Sequence, residues 1–238
     1  MDLLEVGSIN VERHWYYQAK LASLTKIIDS HISRIRNLTF LSDIGAGSGI
    51  FGLHVLREFQ FKYLNLVDIN FQDEIICHNN VTYSQIPVQK ADIILLIDIL
   101  EHVQNPKQFL KNLDSIIPVD GLLFITVPAF QSLWSQHDVL LKHFKRYTTR
   151  SLVKEIPENM ELVEMGYLFP FIFPIAVVVR FFDKFLSFFL IRSSHLSGLH
   201  DHSNFVNLLL FKLATYKSPL LQKYFGLSVF AVLQKISA

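Results

Sequence analysis

The stretch "LSDIGAGSGIFG", Leu41 to Gly52, limits the fold more than any other part of the chain. An apolar run stops at Ile44, glycines follow at 45, 47, 49 and 52, and an apolar helical pattern resumes at once. A strand, a bare turn and a helix in that order form the opening unit of a parallel sheet that binds a nucleotide at its carboxyl edge. The glycines can be read in two registers: Gly45, Gly47 and Gly49 as G-x-G-x-G behind Asp43, or Gly47, Gly49 and Gly52 as G-x-G-x-x-G.

The rest of the chain supports that unit. Residues 11–36 carry Leu21, Leu24, Ile27, Ile28, Ile32 and Ile35 at helical spacing. Strands are expected at 39–44, 63–68, 81–83, 92–98, 121–128, 161–167 and 226–235, with helices at 50–59 and 105–117, the second opened by Asn105-Pro106. The run "DIILLID" is apolar throughout, as a strand covered on both faces must be. Alternation with short links predicts an α/β, doubly wound, seven-stranded sheet, in which Asp43, Asp68 and Asp98 end neighbouring strands at one crevice.

The register follows from where the strand stops. Ile44 is its last apolar residue, so Gly45 is the first turn residue, and Gly45, Gly47 and Gly49 allow close backbone approach. A carboxylate at Asp43 suits an ammonium group and repels a pyrophosphate. Gly52, three residues into the helix, is expected to permit close helix–sheet packing. Asp68 is neutral between cofactors, because either carries a ribose.

On these residues the chain resembles class I, Rossmann-like S-adenosylmethionine-dependent methyltransferases. "DIGAGSG" resembles their acidic-x-G-x-G-x-G motif, "DILEHVQNP" their fourth-strand segment and "VDGLLFITVP" their fifth. "GLSVFAVLQK" resembles their antiparallel last strand, inserted between the fifth and sixth. "ERHWYYQAK" and "VPAFQSLWSQHDVLLKHFKRYT" resemble a subgroup with an N-terminal His-aromatic segment and a His-x-Lys/Arg-Arg-Tyr element, many of whose members are associated with lipid or cell-surface glycan pathways. The chain departs from that subgroup with Gln18 where arginine is common. It also lacks the acid that the family often places near adenine, and Ser84 and Gln85 stand there instead. The resemblance implies S-adenosyl-L-methionine as cofactor, bound by Asp43, Gly45, Ala46, Gly47, Gly49, Asp68, Ile69, Ser84, Gln85, Asp98 and Ile99.

Methyl transfer from a sulfonium needs alignment of acceptor, methyl and sulfur, worth about 7–11 kcal/mol when near-attack. A hydroxyl acceptor also needs its proton removed, worth about 10²–10⁴ in rate. His137 and His143, beyond the fifth strand, are the candidate bases, and Asp138 could fix an imidazole tautomer. Trp134, Arg146 and Tyr147 are candidate substrate contacts, with a salt bridge and a packed ring as the plainer reading of the last two. His102 reads as structural, and His14, Trp15 and Tyr17 either close over the cofactor or pack a helix face. His195, His200, Asp201 and His202 read as a polar loop, and no metal site is expected.

The apolar stretch 168–224 separates the expected methyltransferase domain into 1–167 and 225–238. Between Pro174 and Arg192 its polar residues are Arg180, Asp183, Lys184 and Ser187, one narrow helical stripe. Charges at the middle of a span cost about 2.5–3.5 kcal/mol each, so a helix in the membrane interface, stripe to water, is expected over a spanning one. Residues 205–217 would lie beside it, with Lys212 and Lys217 toward anionic headgroups. A cap closed on itself or on a second copy is the alternative, which leaves a homo-oligomer open.

Composition adds limits. A net charge of +1 favours no nucleic acid, and a single cysteine, Cys77, excludes an intramolecular disulfide and fits a reducing compartment. The opening "MDLLEVGSIN" suggests no signal peptide. The expected location is the cytoplasm, peripheral on the inner membrane face, and the expected function is O-methylation of a lipid, isoprenoid or glycolipid acceptor. A dinucleotide-dependent oxidoreductase, or a non-catalytic S-adenosylmethionine-binding or membrane-recruitment module, is the competing reading.

Overall fold

The computed structural model describes residues 11, 13–35, 38–72, 75–190 and 203–236, and for 183–190 the backbone alone. The histidines at 195, 200 and 202 lie outside the described residues. Among the described residues, eight strands form one sheet: β1 (Phe40–Ile44), β2 (Tyr63–Val67), β3 (Ile76–His78), β4 (Val81–Ser84), β5 (Ile93–Ile97), β6 (Leu122–Pro128), β7 (Met160–Leu168) and β8 (Ser228–Lys235). Their order is β3-β4-β2-β1-β5-β6-β8-β7. β1 pairs in parallel with β2 and β5, and β8 runs antiparallel between β6 and β7, as expected.

The expected count of seven is corrected to eight by β3, a three-residue edge strand antiparallel to β4. All three of its residues are exposed, so it carries no burial pattern, and the turn at Asn79, in the left-handed region, is its main local signal.

Helices cover both faces. They are α1 (Trp15–His31), α2 (Ile50–Phe59), α3 (Pro106–Asn112), α4 (Gln136–Leu140), α5 (Thr149–Val153), α6 (Phe173–Leu190) and α7 (Asn204–Thr215). β5 shows why the sheet needs two layers. Ile93, Leu95 and Ile97 pack with Leu24 and Ile28 of α1 and Phe51 and Val55 of α2, while Ile94 and Leu96 pack with Leu110 of α3 and Leu152 of α5. All five strand residues are buried, and each such side chain contributes about 1.5–3 kcal/mol. The predicted Asn-Pro start of α3 is present, with the Asn105 side chain accepting from the Gln108 amide.

The segment between β7 and β8 docks on the N-terminal helix. Trp15 and Ala19 of α1 share a core with Phe169, Ile172, Ala214 of α7 and Phe230 of β8, and the Trp15 amide donates to Asn207 Oδ1 at 3.3 Å. α6 turns Phe173, Ala176 and Arg180 part-way inward and leaves Ile175, Val177, Val178, Val179, Phe181 and Phe182 exposed. The outward face is therefore the apolar one, and the stripe that begins at Arg180 starts on the side toward the protein. Among the described residues, no helix is long and apolar enough to cross a membrane.

Candidate active site

The turn after β1 has the backbone that its composition predicts. Gly45, Gly47 and Gly49 all have positive φ, at 73°, 53° and 75°. At Gly45 a Cβ would lie 1.9 Å from Ile99 Cδ1, so the turn after β1 and the turn after β5 touch where a side chain is excluded. Gly52 performs the predicted packing role, since a Cβ there would meet Asp43 Cβ and Leu66 Cδ2 at 2.9 Å.

Asp43 is 2% exposed, and its Oδ2 accepts from the Gly52 amide at 2.9 Å. α2 has no side-chain cap of its own, because the left-handed Gly49 precedes it. The β1 carboxylate supplies that cap from across the turn, with the helix dipole in its favour. Burial pushes the Asp43 carboxyl up to about 6, against the Gly52 hydrogen bond. Asp68 closes the turn from the other side: Oδ2 accepts from the Gly47 amide at 2.8 Å and Oδ1 from the Asn70 amide at 2.9 Å.

Past Asp68, Ile69 is exposed at the rim. Ser84 is 1% exposed, accepts from Asn65 Nδ2 and donates to the Ile86 carbonyl, and Gln85 Nε2 donates to the Phe71 carbonyl at 2.8 Å. These two residues tie the loops after β2 and β4 together. Ala46 is buried beneath the turn.

Asp98, the first residue after β5, has φ of 56°, in the left-handed region that Asp tolerates better than most side chains. Its Oδ1 accepts from Thr126 Oγ1 at 3.1 Å, and its Oδ2 is held by Lys20 Nζ, which also donates to Tyr16 OH. Lys20 is 1% exposed. Burial alone would favour its neutral form, but the Asp98 charge, Tyr16 and the hydrogen bonds to both together outweigh burial and keep the ammonium charged. No sequence pattern announced this pair; the nearest signal was the basic end of "ERHWYYQAK". His14, Trp15 and Tyr17 are buried, with the His14 ring capping α1 through the Tyr16 amide.

The segment after β6 is stitched across the carboxyl ends of β5 and β6. Tyr147 OH donates to the Leu100 carbonyl at 3.0 Å, the Phe144 amide to the Glu101 carbonyl at 2.7 Å and the Phe130 amide to the Tyr147 carbonyl at 2.8 Å. Arg146 forks onto Asp138, Nε to Oδ1 at 2.7 Å and Nη2 to Oδ2 at 3.0 Å. The candidate substrate contacts Arg146 and Tyr147 thus make hydrogen bonds within the protein, the plainer of their two readings, and Tyr147 is 1% exposed.

Asp138 is the hub. Its Oδ2 accepts from the Ser135 amide in a capping box at the start of α4, and its Oδ1 lies 2.9 Å from His143 Nδ1. Burial pushes the Asp138 carboxyl up, but hydrogen bonds from His143 and Arg146 and the Arg146 charge hold it well below the usual carboxylate range. His143 is thus a candidate base whose ring nitrogen meets the Asp138 carboxylate. His143 meets His102 edge to face, with centroids 4.6 Å apart, beside the buried Glu101. Trp134 and His137 are half-buried on the same segment. Gly45, Ile99, the Leu100–His102 turn and His143 thus form one continuous rim.

A doubly wound sheet with an antiparallel strand between its last two members, and a three-glycine turn after β1, is the architecture of the class I S-adenosylmethionine-dependent methyltransferases. The model of a methyltransferase domain matches residues 22–170, more than half of the chain, and the chain belongs to that family. Solved structures agree in fold. The plantazolicin methyltransferase BpumL, in complex with a monoazolic desmethylPZN analog and S-adenosylhomocysteine, is 14% identical, with a TM-score of 0.54 over 92% of this chain and 84% of that one. Coclaurine N-methyltransferase, bound to N-methylheliamine and S-adenosylhomocysteine, is 14% identical at 0.54, over 92% and 73%. An S-adenosylmethionine-dependent methyltransferase from Clostridium acetobutylicum is 8% identical at 0.52, over 97% and 94%. No curated protein sequence matches the chain.

Proposed function

We propose that this methyltransferase transfers the methyl group of S-adenosylmethionine to a hydroxyl oxygen of a lipid, isoprenoid or glycolipid acceptor, within the subgroup marked by the His-aromatic and His-x-Lys-Arg-Tyr elements. The carrying observation is the His143 imidazole, fixed at Nδ1 by the buried Asp138 and set on the rim that begins at Gly45. Nδ1 is engaged, so Nε2 is the nitrogen that can face an acceptor. The cofactor lies over Gly45–Gly49, with its ribose toward Asp68 and its amino-acid ammonium toward Asp98, the more open member of the Lys20 pair. Adenine sits between Ile69 and the Ser84–Gln85 turn, and Ile99 backs the sulfonium. Trp134 and His137 border the acceptor. Methyl passes in line to the acceptor oxygen, the sulfonium leaves as a thioether, and the hydroxyl proton is taken on the His143 side.

The lipid assignment rests on the exposed apolar faces of α6 and α7. Phe181, Phe182, Phe205, Leu208 and Leu209 face outward with Lys212 and Lys217 nearby, a composition suited to an anionic bilayer surface. Residues 168–224 then act as a docking insertion in a domain formed by 1–167 and 225–238.

The deciding experiment is transfer of labelled methyl from S-adenosylmethionine to a cell lipid extract. Labelled methyl ether is expected with the natural chain, and His143→Gln is expected to lose about 10²–10⁴ in rate. Label on nitrogen alone, or an undiminished His143→Gln, would overturn the assignment.

A further inference from the structure

Glu101 lies in the turn Leu100–His102 just past β5, is 1% exposed, and among the described residues its Oε2 has no hydrogen-bond partner. A buried carboxylate oxygen in that state is costly, because desolvation is uncompensated. Two imidazoles close on it. One donor atom from each of Glu101, His102 and His143 lies within 4.8 Å of the other two. Asp138 holds His143 by Nδ1 and is itself fixed by Arg146 and Ser135, which leaves Nε2 as the donor. A carboxylate on the far nitrogen is how metal-binding imidazoles are oriented and made more basic.

We infer that Glu101, His102 and His143 bind one divalent transition-metal ion at the acceptor side of the methyl-transfer crevice. Two imidazole nitrogens and one carboxylate oxygen suit Zn²⁺ or Mn²⁺. Ligand bonds of about 2.0–2.2 Å require the three donors to draw closer together on binding. Three protein ligands leave coordination positions open, the pattern of catalytic rather than structural sites. The ion's role rests on the hydroxyl-acceptor reading. The acceptor oxygen takes an open position, and the ion lowers its pKa so that the proton leaves to solvent. The resulting oxyanion attacks the methyl carbon, and the breaking carbon–sulfur bond leaves its electron pair on sulfur. His143 is then a ligand, and the ion does the work that a general base would otherwise do.

The test uses the untagged full chain, stripped with a chelator and titrated by calorimetry with ZnCl₂ and, separately, MnCl₂. One ion per chain is expected for at least one of them, with a rise in Tm on loading. Glu101→Gln, which replaces the unpartnered acid oxygen at nearly constant shape, is expected to fold about as stably as the stripped natural chain. It should lose at least tenfold in ion affinity and show no rise in Tm. Asp138→Asn should weaken the ion by about 10–100-fold through His143. No saturable binding of either ion, or equal binding by Glu101→Gln, overturns the inference. Labelled-methyl transfer separates the two readings. A stripped enzyme as fast as the loaded one sinks the ion's role and leaves O-methylation standing, whereas absence of any methylated oxygen product sinks O-methylation without touching the calorimetric result.

Discussion

Gly45 and Asp43 show what a single position can and cannot reveal. The glycine turn was readable because positive φ is a local demand that few residues other than glycine meet, and all three glycines meet it. The direction of the Asp43 carboxylate was not, because its partner is an amide nine residues on, after a turn whose path the sequence does not state. Its burial has a measurable sign. The native carboxyl, raised to about 6 from 3.8, binds its proton more tightly than the unfolded one. Its contribution to stability is therefore largest at low pH, falls as pH rises through that window, and is constant above it. Asp43→Asn keeps an acceptor for Gly52 and removes the titration. Urea unfolding should show the variant gaining on the natural chain by about 2–3 kcal/mol between pH 4 and pH 7. A constant difference would mean that Asp43 titrates normally. Lys20–Asp98 and Glu101 escaped the sequence for the same reason at longer range, the first pair being 78 positions apart.

Elements were legible where burial imposes a period. The all-apolar β5 and the Asn-Pro opening of α3 appeared as read, because each carries its own signal. β3 carries none, being short and exposed on every residue. α6 was legible as a helix but not in its facing, since the side that meets the protein is set by Phe130 and Phe225 packing on Phe173. That facing has a direct test. Phe181→Ser with Phe182→Ser removes two rings that are 66% and 57% exposed, so folding should be unaffected. Affinity for anionic vesicles, read by co-sedimentation, should fall at least a hundredfold, at about 1.5–3 kcal/mol lost per ring. Equal sedimentation would show that lipid does not cover this face.

At the scale of the molecule, α1 joins parts that the sequence presented as separate. One face packs on α2 and the sheet, Trp15 and Ala19 lock onto α7, and Lys20 reaches Asp98. Lys20→Met should therefore cost more than a surface charge. Removing one member of a buried pair costs about 3–5 kcal/mol, and the 24% exposure of Asp98 lowers this to about 2. Adding Asp98→Asn should restore much of it, and a double-mutant cycle by urea unfolding would show the coupling. Strictly additive effects would mean that the two residues act independently. The placement of β8 has a further consequence for how such a chain comes into being. Among the described residues β7 pairs with β8 alone, and β8 follows it only after the whole of α6 and α7. A nascent chain can assemble β1 to β6 as it emerges, but its sheet stays open at that edge until the late strand slots in. Throughout that interval the apolar helices are already made but not yet locked against the late strand, so that edge is the part of the chain most open to chaperone capture.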